Sequence, residues 1–127
     1  RIKTSPDPFE PFCLSQGLRI GDLIILSGQA AMTEEGAVVG IGDFDAQAEQ
    51  VFRNIARLLA TAGASLADVV TIFLTDMQYF PKVVDLRRKW FTAPYPADSI
   101  VEVRALALPE LMIEIEATAI AGVRKID

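Results

Sequence analysis

The stretch "PADSIVEVRALALPELMIEIEATAIAG", residues 96–122, decides how the chain reads. Val101, Val103 and Ala105 alternate with Glu102 and Arg104, and Ile113, Ile115 and Ala117 alternate with Glu114 and Glu116. A period of two marks a strand with one buried face, because successive side chains leave opposite sides of a pleated backbone. The two runs predict two strands joined by a tight turn, a closing hairpin. Three acids and one arginine then share its polar phase, and Asp98 heads its first strand.

Upstream, residues 69–74 are β-branched and aromatic-rich and too short for a helix, which predicts a buried strand. Pro81 suits the first turn of a helix ending near Phe91, with Val83, Leu86 and Trp90 as its apolar positions. The clearest helix is predicted over 45–62, where Ala48, Val51, Phe52, Ile55, Leu58, Leu59 and Ala62 recur at helical spacing. Gly63 suits the left-handed position that closes it. "SLAD", residues 65–68, has capping-box spacing and predicts one short turn. Residues 18–20 and 23–27 read as strands about a Gly21-Asp22 turn. Residues 30–42, with three glycines, read as a loop with room for a short strand at 37–39. Residues 1–15, with three prolines, read as irregular.

The order β-β-α-β-α-β-β predicts an α+β domain, one mixed sheet with both helices on one face. The polar phase of the strands then faces solvent or another subunit. A sheet face carrying Leu, Ile and a few charges invites association that covers it.

The length of 127 residues fits one domain, residues 1–127. Twelve Lys and Arg against 17 Asp and Glu give a net charge of −5, which argues against nucleic acid as partner, since phosphate binding needs clustered cations. The densest basic cluster, Arg87-Arg88-Lys89, reads as a solvated helix face. No apolar run suggests a membrane span. The single cysteine, Cys13, cannot form an intrachain disulfide and fits a reducing, cytoplasmic compartment; it reads as a small packed side chain. The absence of histidine removes the commonest general base and the commonest zinc ligand, and no metal site is expected.

"LIILSGQ" at 23–29, "AQAEQVFRNIARLLATAGASLADVV" at 46–70 and "VEVRALALPELMIEIEATA" at 101–119 together resemble the Rid family, also called YjgF, over the chain from about residue 9 onward. The "LP…IEIEA" segment is the most specific part. The resemblance implies a chorismate-mutase-like α+β fold and a homotrimer whose sheets form a barrel with the helices outside. It also implies small-molecule clefts between subunits. Archetypal members hydrolyse reactive enamines and imines to a 2-oxo acid and ammonia, with no metal or cofactor. That chemistry needs an arginine fork for the substrate carboxylate and a carboxyl group that handles water.

Carried over residue by residue, the water-handling glutamate is Glu114. The "SGQ" loop is Ser27-Gly28-Gln29, followed by Ala30 and Ala31, and Gly28 suits a backbone that approaches a cleft closely. The family's carboxylate-binding arginine falls on Asp98, its cysteine two residues later on Ile100, its N-terminal tyrosine on Leu14, and its asparagine early in the second helix on Val84. Four of those five side chains are therefore absent. A bare Asp98 would repel an anionic substrate and favour neutral or cationic ones. Arg104, six residues on, lies roughly 20 Å away along a strand, so it cannot replace the arginine within one subunit. It reads either as a cross-strand partner of Glu114 or Glu116 or as a relocated anion contact. Glu114 itself reads either as the water-handling acid or as an interface acid paired with Arg104. The expected function is therefore a Rid-type deaminase of shifted substrate, with the alternative of a non-catalytic binding or regulatory trimer.

Overall fold

The computed structural model describes residues 1–65 and 67–122. Its strands are β1 (Gly17–Ile20), β2 (Leu23–Ala30), β3 (Val69–Leu74), β4 (Ala97–Glu102) and β5 (Ile113–Ile120), with helices α1 (Phe44–Thr61) and α2 (Phe80–Trp90). All five strands join one mixed sheet in the order β1-β2-β5-β3-β4. The two-residue turn at Gly21-Asp22 is as predicted: Ile20 pairs with Leu23, and Gly21 takes φ +61°, a left-handed value that glycine adopts without strain.

The closing hairpin is not formed. β4 pairs in parallel with β3, and β5 runs antiparallel between β2 and β3, so β3 separates the two strands expected to be neighbours. Residues 103–112 are a crossover, not a tight turn. Alternation fixes which residues share a face, but it carries no information on which strand lies alongside. The phase of the first run also differs. Asp98 and Ile100 stand beside Val70 and Ile72 on the helix-covered face, while Ser99 and Val101 stand beside Thr71 and Phe73 on the open face. The strand ends at Glu102, whose carboxylate accepts the Met77 N–H at 2.8 Å. Arg104 lies beyond it, exposed, with no ion pair to Glu114 or Glu116 among the described residues.

The helix-side face makes the core. Ile24, Ile72, Ile113 and Ile115 are fully enclosed beneath Val51, Phe52, Ile55, Leu58 and Leu59 of α1. Each such aliphatic side chain contributes about 1.5–3 kcal/mol relative to an exposed one. Asp43 caps α1 by accepting the Ala46 N–H at 3.1 Å, and Gly63 follows the helix at φ +89°. Trp90 of α2 stacks on Phe52 at 5.6 Å between ring centroids. The chain before β1 is less irregular than expected: buried Ile2 donates its N–H to the Gly17 carbonyl, and residues 10–12 form a helical turn. Val38 makes only an isolated bridge to Met32. The turn predicted at 65–68 falls partly on Leu66, outside the described residues; Asp68 accepts the Ile120 N–H at 2.8 Å.

Two buried amides on α1 tie down the ends of the strands that carry Gly28 and Glu114. Asn54 donates to the carbonyls of Ala30 at 3.1 Å and Met32 at 2.9 Å. Gln47 donates to the Glu110 carbonyl and accepts the Met112 N–H, each at 2.8 Å, two residues before Glu114. Polar atoms enclosed this way must be paired, and the oxygen and nitrogen of each amide have at least one partner, so they fix the chain at both points.

Candidate functional site

Glu114 is placed by the alternation of β5. Ile113 and Ile115 enter the core, which sends Glu114 and Glu116 to the open face. Glu114 pairs with Ala30, and next to it, opposite Glu116, the β2–β5 register shifts between Leu26 and Gln29, a bulge that takes residues 27 and 28 out of the ladder. The displaced Ser27 turns to the N-terminal segment: its N–H donates to the Gln16 carbonyl at 2.9 Å and its hydroxyl to the Ser15 carbonyl at 2.6 Å. Leu14, exposed, is thereby held next to the bulge.

Gly28 is needed there for space. A Cβ on it would lie 2.7 Å from Glu114 Oε2 and 2.8 Å from its Cδ. The Glu114 carboxyl thus rests on the bare Cα of Gly28. It has no hydrogen-bond or ion-pair partner among the described residues. Partial burial, and secondarily the like charge of Glu116, push its pKa above the ordinary glutamate value. Gln29 and Ala31 are buried, with Gln29 Nε2 donating to the Ser27 carbonyl at 2.9 Å, and Ala30 is buried opposite Glu114. Whole-residue burial leaves Ala31 with no surface and Gln29 and Ala30 with almost none within the single chain.

Asp98, Val84 and Ile100 lie elsewhere, on the helix-covered side of the edge strand. Asp98 is not bare. Arg87 Nε donates to Asp98 Oδ2 at 2.8 Å and Nη2 to Oδ1 at 2.9 Å, and the two side chains are only 23% and 13% exposed. The repulsion expected of an unpaired aspartate is therefore cancelled by a planar two-pronged contact. Arg87 is the residue the sequence reading missed, having been grouped with Arg88 and Lys89 as a solvated face. Only those two behave so, pairing at the surface with Asp85 and Glu49. Nothing in a helix's own sequence says which of its cations meets a strand that begins ten residues later. Val84 lines the same cavity as Arg87 and Asp98, and Ile100 is half-buried against the core.

Cys13 is exposed, not packed, and adopts φ +60° at the end of the 10–12 turn. Among the described residues no three His, Cys, Asp or Glu side chains converge as a metal would require, and no helix is long and apolar enough to cross a membrane.

The family model described as Endoribonuclease L-PSP matches residues 2–121. A RutC family protein of Pyrococcus abyssi is 36% identical over 117 residues, covering 91% of this chain and 90% of that protein. The 2-iminobutanoate/2-iminopropanoate deaminase of Dermatophagoides farinae is 31% identical, covering 91% and 90%. The crystal structure of RidA from the Antarctic bacterium Psychrobacter sp. PAMC 21119 superposes with a TM-score of 0.85 at 32% identity, covering 94% of this chain and 97% of that one. The chain belongs to the Rid (YjgF) family and has its α+β fold of a five-stranded mixed sheet and two helices. Relatives bearing deaminase names place it, at family level, among deaminase-like proteins.

Proposed function

We propose that this chain hydrolyses small enamines or imines, with Glu114 as the group that handles water, in clefts formed between the subunits of a homotrimer. The observation that carries the reading is the seating of Glu114: a half-buried carboxyl, unpaired among the described residues, held against Gly28, with its pKa raised by burial. A carboxyl whose proton affinity is shifted toward neutrality can both take and return a proton. In the reaction, a water proton passes to the carboxylate as the water oxygen bonds the imine carbon. The same proton then goes to nitrogen, giving a carbinolamine; the carboxylate next carries the carbinolamine hydroxyl proton to the amino nitrogen as the C–N bond breaks, so ammonia leaves and the oxygen remains as a carbonyl.

The sheet supports placing the cleft between subunits. Within one chain Glu114 is on the open face and Asp98 on the helix-covered face, so one ligand meets both only if two copies contribute. The open face also exposes Leu18, Ile20, Leu23, Ile25, Val69 and Ile120, a continuous apolar surface suited to covering by further copies. The non-catalytic reading is favoured by Leu14, Val84 and Ile100 standing where archetypal members carry polar or reactive side chains.

The test is the rate of ammonia and 2-oxo acid formation from 2-imino acids generated in situ by an amino-acid oxidase, with light scattering on the same sample. Acceleration by a species of three-subunit mass is expected. A monomeric mass at micromolar concentration sinks the cleft, and a trimer that binds 2-oxo acids without accelerating hydrolysis makes the chain a binding module.

A further inference from the structure

Residues of α2, of the segment that follows it and of the start of the edge strand β4 line a cavity of about 470 Å³. Its walls include Val84, Phe91 and Tyr95, with Arg87, Arg88 and Asp98 among its charged groups. Arg87 grips Asp98 through Nε and Nη2. A guanidinium carries five N–H donors on three nitrogens, and this side-on fork leaves Nη1, which donates to no described residue, as well as the second hydrogen of Nη2. Arg88 reaches only the exposed Asp85, at 3.1 Å. Asp98 and Asp85 balance the two guanidiniums in charge, so what the lining offers an anion is their unused N–H donors. The body of the cavity is apolar and aromatic, with Phe91 buried and the Tyr95 ring exposed.

We propose that this cavity holds the carboxylate of a 2-oxo or 2-imino acid bearing an aromatic side chain. Arg87 and Arg88 take the carboxylate, and Phe91 and Tyr95 take the ring. Asp98 acts as a positioning residue: it fixes the Arg87 guanidinium in one orientation, so the fork is already ordered when the anion arrives. The arginine absent from the edge strand is thereby replaced from the helix, displaced toward a volume that a short aliphatic acid would leave largely empty. An aromatic ring has flat partners there and gains from stacking. The 2-oxo or 2-imino identity of the ligand rests on the proposed function; the anion site and its preference for a ring do not.

Calorimetry with phenylpyruvate and 2-oxobutanoate separates the two. Phenylpyruvate is expected to bind the parent more tightly than 2-oxobutanoate. Arg87→Lys, which keeps the charge and loses the fork, should weaken phenylpyruvate binding about tenfold. Tyr95→Ala should abolish the preference for the aromatic acid. Arg88→Ala, at a largely exposed position, should weaken binding of both acids and carries the test if Arg87→Lys melts early. Equal binding by parent and Arg88→Ala, equal affinity for the two acids, or no heat with millimolar phenylpyruvate and folded parent overturns the inference. Arginine-dependent phenylpyruvate binding without ammonia release from any imine would leave this site standing and remove the hydrolase reading. Ammonia release unaffected by Arg88→Ala and Tyr95→Ala would do the opposite.

Discussion

Two carboxylates of the same sheet meet opposite fates. Asp98, on the helix-covered side of the edge strand, is gripped by both prongs of Arg87 and is charge-compensated. Glu114, on the open side of β5, has no partner among the described residues, rests on a glycine, and is pushed by burial toward its neutral form. The part-buried Arg87 fork holds the Asp98 carboxylate in one orientation. An acid held in place without such compensation, and pushed toward its neutral form, has the property expected of a group that exchanges protons.

Replacing Glu114 should break this contrast most severely. Glu114→Gln keeps shape and hydrogen bonding but removes proton exchange, and turnover on an accepted imine should fall by about 10²-fold or more with the fold intact. Full activity in that variant would make Glu114 a structural interface acid. Gly28→Ala perturbs the same carboxyl without touching its chemistry. Its Cβ would intrude to 2.7 Å of Oε2, so the carboxyl must swing away. Displacing a catalytic group by about 1 Å costs up to about 10²-fold, and the loss should fall on kcat and leave KM nearly unchanged. Parent-like kcat would mean that the seat does not matter.

The compensated acid should show the reverse signature, a loss of stability. Asp98→Ala strands a guanidinium that is only 23% exposed, and about 1–3 kcal/mol of stability should be lost, read from denaturant midpoints. Asp98→Arg should be worse than Asp98→Ala, because it faces Arg87 with a like charge. The paired reversal, Arg87→Asp with Asp98→Arg, should recover part of the loss. A double-mutant cycle with no coupling would show that the fork contributes nothing net.

The uncompensated acid was legible from sequence and the compensated one was not. Glu114 sits in an alternating run flanked by isoleucines, so its face follows from periodicity, and "SGQ" marked the loop it rests on. α1, α2 and the β1–β2 turn were equally local, set by 3.6-residue spacing, Pro81 and Gly21-Asp22. What failed was non-local. β4 and β5 both alternate, yet β3 inserts between them, and nothing in either run encodes that partner. The phase of β4 was misjudged because its two inward acids are satisfied by groups far along the chain, Asp98 by Arg87 and Glu102 by the Met77 N–H. Burial of Ile2 and the pinning roles of Gln47 and Asn54 likewise depend on contacts across many residues.

The smallest effect, on stability rather than rate, sharpens the comparison further. Burial raises the Glu114 pKa above its unfolded value, so the native state holds the proton more tightly than the unfolded chain does. The contribution of this group to stability is fully present below the unfolded pKa and is lost as pH rises through the folded one. At neutral pH Glu114 is thus a net burden to the fold, and Glu114→Gln, which carries no charge to desolvate, should be the more stable protein there. The advantage should disappear in acid, where both side chains are neutral. The remaining carboxylates cancel in the difference between the two proteins, so melting temperatures of parent and variant across the acid-to-neutral range isolate this one group. The shift will be no more than a few degrees, because solvent still reaches the carboxyl and screens it. Covering by neighbouring subunits would deepen the burial, so the advantage of the variant should widen as protein concentration rises into the range of assembly. A variant whose advantage is the same in acid as at neutral pH would show that Glu114 is not held at a desolvation cost, and the contrast with Asp98 would then rest on geometry alone.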